Sequence, residues 1–283
     1  MTPMHPKTLP QDILALLSED VEVEVDESLL NEAAEQFKSA LRRRLSRQER
    51  RGGLRMSSIG KPGCQLWHQE NEPEHGESLP PQTQLKFLYG DLLEILLIFL
   101  TKASGHDVTH EQHEVEVDGV KGHTDCVIDG VPVDVKSASD YAFQKFKEGR
   151  LKEDDAFGYI PQLSGYAHAL GNTKEAGFLV INKVTGAICW DPLDEATILE
   201  NAPSPIIQQQ RENLSADRVP FRYPPVPDGK SGNLKLTTRC GYCNFKHRCW
   251  RDANNNRGLR TFIYSTGPRY LTAVGKEPNV YEV

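Results

Sequence analysis

Polar and apolar positions alternate most cleanly over residues 111–137, where three short runs rich in valine and isoleucine are separated by Asp118-Gly119 and Asp129-Gly130. Alternation with a period of two marks a half-buried strand, and Asp-Gly between such runs favours a tight hairpin turn. The pattern predicts a three-stranded antiparallel meander. With Asp129-Gly130 as a two-residue turn, Ile128 faces Val131, and counting back along both strands sets Asp125 opposite Asp134 and His123 opposite Lys136. These four side chains then share one face, while Val131, Val133 and Val135 make the other apolar.

Elsewhere the apolar residues recur at helical spacing. Leu29, Ala33, Phe37, Ala40 and Leu45 define one face of a helix over residues 29–48, with Ser28 as its N-cap. A strongly apolar helix over 83–101 carries Gly90-Asp-Leu-Leu-Glu94, so one carboxylate stands among Leu, Ile and Phe. Ser139 caps a helix ending near 148, a charged turn follows at 152–155, and a second helix covers 156–170. Two strands, 176–182 and 187–190, extend the sheet about Thr185-Gly186, and 195–214 reads as a helix interrupted near Pro203 and Pro205. Residues 1–27 read as a loose acidic arm with a short strand at Val21, Val23 and Val25. The glycines between Ser57 and Cys64 imply a tight path, and 219–232 is a linker rich in proline and glycine.

Composition changes this picture only in part. At 283 residues, 38% hydrophobic and a mean hydropathy of -0.53, the chain can bury a sizeable core as one large domain with extensions or two small ones. Its longest apolar run, 92–100, is interrupted by Glu94 and is too short for a membrane span. The first twelve residues lack the basic and apolar regions of a signal peptide, so a reducing cytoplasm is expected and the six cysteines read as thiols or metal ligands. The net charge of -7 does not advertise a nucleic-acid binder. Charge is segregated, however: Arg42, Arg43, Arg44, Arg47, Arg50, Arg51 and Arg55 crowd one segment, and Arg239, Lys246, Arg248 and Arg251 another, which suits phosphate contacts.

Two constellations carry chemistry. Carboxylates directly opposite one another in a sheet repel, and a hard divalent cation removes that repulsion, while a lysine two residues beyond can hold a water. The second constellation is Cys240, Cys243 and Cys249, three thiols that need a fourth ligand, for which Cys64 is the natural candidate. A zinc site using His247 or His68 is the alternative. Cys126 and Cys189 read as buried thiols.

Gly122-His-Thr-Asp125 followed by Asp134-Val-Lys136 resembles the two central motifs of the PD-(D/E)XK nuclease superfamily, in its RecB-like exonuclease branch. Glu94 stands where many members of that branch carry histidine, as some phage-type members do, and Gln162 with Tyr166 is similar to the branch's QxxxY motif. The cysteines resemble those of iron-sulfur nucleases, the AddB-type helicase-nucleases and the CRISPR-adaptation exonuclease, in which a 4Fe-4S cluster staples the two ends of the nuclease domain. The resemblance spans 57–250.

It implies an α/β fold, a restriction-endonuclease-like core whose mixed β-sheet is flanked by helices with an iron-sulfur staple, occupying 28–253 between the arm and a C-terminal extension at 254–283. It implies a metal-dependent DNA exonuclease of recombination, repair or replication. Glu94, Asp125, Asp134 and the Val135 carbonyl would bind Mg²⁺ or Mn²⁺, Lys136 would position the attacking water, and Gln162 and Tyr166 would contact substrate. His123 would contact phosphate or metal, or orient a neighbour. Cys64, Cys240, Cys243 and Cys249 would hold the 4Fe-4S cluster. The partners implied are single-stranded or duplex DNA ends, with a second copy or a recombination or replication protein as further candidates, in a bacterial or phage-infected cell. The rival is a catalytically silent DNA-binding module, or an endonuclease, on the same scaffold.

Overall fold

The computed structural model describes residues 4–18, 26–46 and 52–283. The expected strand at Val21, Val23 and Val25, with Arg47, Arg50 and Arg51, lies outside the described residues. In chain order the helices are α1 (Leu9–Leu16), α2 (Glu27–Leu45), α3 (Gly63–Asn71), α4 (Pro81–Ala103), α5 (Asp140–Lys147), α6 (Tyr159–Ala169), α7 (Glu195–Glu200), α8 (Pro203–Ser215), α9 (Thr238–Gly241) and α10 (Lys246–Cys249). The strands are β1 (Val108–Thr109), β2 (Glu114–Val117), β3 (Val120–His123), β4 (Cys126–Ile128), β5 (Val131–Ala138), β6 (Glu175–Asn182), β7 (Ile188–Asp194), β8 (Val226–Pro227), β9 (Leu234–Lys235), β10 (Arg260–Tyr264) and β11 (Gly267–Ala273).

The described residues divide into two compact units. The first draws on Met1–Arg51, Arg55–Gly60 and Pro80–Ile207, the second on Gly52–Leu54, Lys61–Leu79 and Gln208–Val283.

In the first unit a five-stranded mixed sheet has the order β1-β4-β5-β6-β7. Its central pair, β5 and β6, is parallel, joined by a crossover through α5 and α6, and the other pairs are antiparallel. Helices cover both faces. Val133 and Val135 pack with α4 and α1, while Ala138, Phe178 and Val180 pack against α5 and α6. Residues 9–16 of the arm are packed: Leu9 and Ile13, on one side of α1, are fully buried against Leu97 and Ile98 of α4.

The expected meander is two hairpins in two sheets. Asp129-Gly130 does make the tight turn, with φ of 50° and 82°, and Ile128 pairs with Val131. The middle run, however, breaks at Thr124 and Asp125. The Thr124 hydroxyl donates to the His110 carbonyl at 2.9 Å, and the Asp125 carboxylate accepts the Val135 amide at 2.8 Å. Side chains thus take over main-chain partners and move the strand from one sheet to the other. β3 consequently pairs only with β2, and His123 lies opposite Glu114, not Lys136.

The helix starts also differ from expectation. Asp26, not Ser28, caps α2, accepting the Ser28 amide at 2.8 Å. The start of α6 is moved to Tyr159 by the Asp155 carboxylate, which accepts the amides of Gly158, Tyr159 and Ile160 at 2.9 Å each. A Cβ on Gly60 would stand 2.6 Å from the Gly158 Cα, so this crossing of two backbones requires glycine.

The second unit holds α3 and a four-stranded sheet of order β10-β11-β9-β8. The two longest strands of that sheet come from the 254–283 segment expected to be an extension, and Phe262 and Leu271 of this hairpin are buried. No helix among the described residues is long and apolar enough to cross a membrane.

Candidate functional site

The first unit gathers three carboxylates and one lysine. The β4–β5 ladder ends at Cys126 and Val133, and the next residues outward are Asp125 and Asp134. Asp134 and Lys136 alternate with the apolar Val133 and Val135 along β5, so they project toward α6. Asp134 is 1% exposed, its Oδ2 lies against Lys136 Nζ, and the same Oδ2 finds no hydrogen bond of acceptable geometry. Glu94 comes from α4, where Gln112 Nε2 donates to its Oε1 at 2.9 Å.

Electrostatics ties these groups into one site. Burial pushes the Glu94 carboxyl up to about 7, with Lys136 opposing and Asp134 adding to the rise. Burial also pushes Asp125 well above the ordinary carboxylate range, reinforced by Asp134 and Glu94. Lys136 is raised even though burial pulls it down, because Asp134 and Asp125 stand beside it. Three bare carboxylates beside one lysine are disfavoured, so Glu94 and Asp125 hold protons more tightly than free carboxyls do.

α6 supplies the polar wall. Gln162 Nε2 reaches Asp134 Oδ1 at 3.4 Å and the Tyr166 hydroxyl at 3.3 Å, as an i, i+4 pair on one helix face. Tyr166 is 3% exposed, and its ring fills the space over Gly122, where a Cβ would come within 2.8 Å of it. His123 is apart from this set: its side chain is 56% exposed and the Glu114 carboxylate is 3.9 Å away. Sequence reasoning missed two neighbours, Gln112 and Tyr159, whose ring lies 5.1 Å from Lys136 Nζ. Gln112 is held by a positive φ of 47°, by its amide on the Asp125 carbonyl at 3.2 Å and by its bond to Glu94, all properties of the fold.

The second unit gathers four cysteines. Cys64 lies on α3, Cys240 on α9, Cys243 in the following turn and Cys249 at the end of α10. The Cys64 thiol is pushed down by a hydrogen bond from Cys249, and Cys249 is pushed up by the same bond. Burial raises Cys243 to about 12 and also raises Cys240, and both feel Cys64.

Both sets suit a metal by donor chemistry. Carboxylate oxygens are the donor type that Mg²⁺ or Mn²⁺ takes, and cysteine thiols the type that a thiophilic centre takes. Among the described residues no three His, Cys, Asp or Glu side chains are grouped so that they could hold a metal ion as they stand. The salt link from Lys136 to Asp134 and the thiol-thiol bond between Cys64 and Cys249 take up donor atoms an ion would use.

Among the described residues, four cations of the basic runs meet carboxylates. Arg44 and Arg43 hold Asp91, with Arg44 Nε at 2.7 Å, while Lys246 pairs with Glu77 at 2.7 Å and Arg248 with Glu72 at 2.5 Å.

No family model matches the chain, and no curated protein matches it. Among solved structures it is similar to the protein SSO0001, at 16% identity over 75% of this chain and 93% of that one, with a TM-score of 0.39. It is also similar to a phage-related exonuclease from Haemophilus somnus 129PT, at 10% identity over 75% of this chain and 90% of that one, with a TM-score of 0.28. Scores this low leave the assignment to the residues themselves.

Proposed function

We propose that the first unit is a restriction-endonuclease-like nuclease core that hydrolyses DNA phosphodiester bonds from DNA ends. The observation that carries this reading is the cluster of Glu94, Asp125 and Asp134 around Lys136, with Asp134 buried and ion-paired to that lysine. Glu94, Asp125, Asp134 and the Val135 carbonyl would hold Mg²⁺ or Mn²⁺, which when bound supplies Lewis-acid stabilisation of charge developing on phosphate. Lys136, steered by Asp134 and the Tyr159 ring, orients the water that attacks phosphorus. Gln162 fixes Asp134 and faces the substrate, with Tyr166 behind it. The second unit would carry a 4Fe-4S cluster on Cys64, Cys240, Cys243 and Cys249.

Action from ends fits a chain in which the sequence offers no separate element for reading base edges in the major groove. The test compares linear single-stranded DNA and resected duplex ends with covalently closed circles of the same sequence, with Mg²⁺ or Mn²⁺ added and then chelated. Ion-dependent degradation of linear DNA to short products, with circles spared, is expected. Rapid cutting of circles would make it an endonuclease, and DNA binding without cleavage under any divalent ion would make it a silent module.

A further inference from the structure

α4 buries one face on the sheet and then carries that face past the carboxylates. Leu97, Ile98 and Thr101 are buried, and Glu94, Gly90 and Phe87 continue the same side at helical spacing. A Cβ on Gly90 would meet Ser137 Oγ at 3.5 Å, so the helix crosses β5 just beyond Lys136. Phe87 stands one turn further out, about 10 Å along the helix axis from Glu94. Its ring belongs to the side that is buried elsewhere on α4, yet it is 43% exposed.

The ring is braced from α2. The carbon at the centre of the Arg44 guanidinium lies 5.6 Å from the ring centroid. That guanidinium is itself fixed by Asp91, one turn after Phe87, through Nε at 2.7 Å and Nη2 at 2.8 Å. A bidentate carboxylate sets the plane of an arginine, so Arg44 gives the ring a preset neighbour and leaves less freedom to be lost on binding. The Asp91 hydrogen bond raises Arg44 further above its ordinary range, and Glu94 adds to the rise, so this stack adjoins the carboxylate cluster.

Two more cations stand at the same end of the sheet. The Lys183 amide donates to the Ala138 carbonyl at 3.0 Å, at the end of β5. Burial and the neighbouring Lys86, which precedes Phe87 on α4, hold the Lys183 ammonium below the ordinary lysine range. Ammonium groups near enough to repel favour an anion beside them. An exposed aromatic ring next to such cations suits a nucleic-acid strand, because any unpaired base can stack on it while the backbone meets the positive charge. A paired base keeps its faces inside the duplex stack and cannot use the ring.

We propose, on the nuclease reading given above, that Phe87, braced by Arg44 and Asp91, is a stacking platform for an unpaired base, and that Lys86 and Lys183 take phosphate of the same strand. The platform makes single-stranded DNA the preferred substrate and leads the strand toward Glu94.

The test measures fluorescence anisotropy of a dye-labelled single-stranded oligothymidine with the full-length protein in a chelator, so that binding is read without cleavage. Phe87→Ala and Phe87→Leu should each weaken binding at least about fivefold, the lower end of what one base stack contributes, and Phe87→Trp should keep it. Lys183→Gln should flatten the slope of log affinity against log salt by about 0.7, the share of one phosphate on a single strand. Blunt duplex should bind more weakly than the single strand, and equally to wild type and Phe87→Ala. Unchanged single-strand affinity in a folded Phe87→Ala variant, or an equal loss for duplex, would overturn the proposal. Should the Phe87 variants fail to fold, photocrosslinking of wild type to an oligonucleotide carrying 5-iodouracil decides: a crosslink at Phe87 supports the platform, and crosslinks confined to other residues overturn it. The platform and the nuclease reading fail separately. Phe87-dependent binding by a protein that cleaves nothing under any divalent ion keeps the platform and removes the nuclease. Metal-dependent cleavage of linear DNA, with Phe87→Ala binding as tightly as wild type, does the reverse.

Discussion

Replacing Glu94 with glutamine should make the metal-free protein more stable above neutral pH while abolishing cleavage. Burial moves the Glu94 carboxyl from an ordinary 4.5 to about 7. Between those values the native state holds the proton more tightly than the unfolded chain, so this group's contribution is fully present below about 4.5 and is lost as pH rises through about 7. At roughly 1.4 kcal/mol per pH unit the complete loss is at most about 3.5 kcal/mol, most of it between pH 5 and pH 8. Glutamine keeps the length of the side chain but carries no charge, so it escapes that loss. Asp191, buried on β7 and also raised to about 7 by desolvation, acts in the same pH window and is common to both proteins. The difference between wild type and Glu94→Gln therefore reports Glu94 together with its effect on Asp125, free of Asp191. The assay is urea unfolding in the presence of a chelator at pH 5, 6 and 8, repeated with Mn²⁺. The two proteins should be matched at pH 5, the variant should lead by up to about 3 kcal/mol at pH 8, and Mn²⁺ should stabilise wild type more than the variant. Equal stability at pH 8, or equal stabilisation by Mn²⁺, would refute the reasoning that the carboxylates form one repulsive, cation-seeking cluster.

Two further outcomes follow from the same structure. Lys136→Ala should lose cleavage of linear DNA and retain binding in a filter or gel-shift assay, because Lys136 sits among the carboxylates and not in the basic runs; full activity would remove its assigned role. Ile13→Ala should lower unfolding stability by about 2–5 kcal/mol, the usual cost of truncating a fully buried aliphatic side chain, because α1 packs into the sheet's core and is not a free arm; a change under about 0.5 kcal/mol would mean that the arm does detach.

Local pattern determined a good deal of this protein. The Asp-Gly turns, the pairing of Ile128 with Val131, the apolar helix that carries Glu94, and the helical pair Gln162 and Tyr166 all follow from periodicity and turn chemistry, which act between residues close in the chain. The adjacency of Asp125 and Asp134 was legible for the same reason, since a two-residue turn leaves the register no freedom. Tertiary structure decided what local rules cannot reach. Nothing in the alternation of residues 120–128 says that Thr124 and Asp125 will spend their side chains on distant main-chain groups and split one strand between two sheets, sending His123 away from Lys136. Nor does composition reveal that Leu9 and Ile13 are core residues, because an apolar pair in a short segment is buried only if another element offers it a surface. The arginine runs look like free cations in sequence, yet Asp91, Glu72 and Glu77 meet several of them through the fold. The clearest case is Glu72, whose carboxylate is gripped by Arg248 and accepts from the buried His68 ring one turn earlier. Arg248 lies 176 positions beyond Glu72, so only the folded chain brings that clamp together.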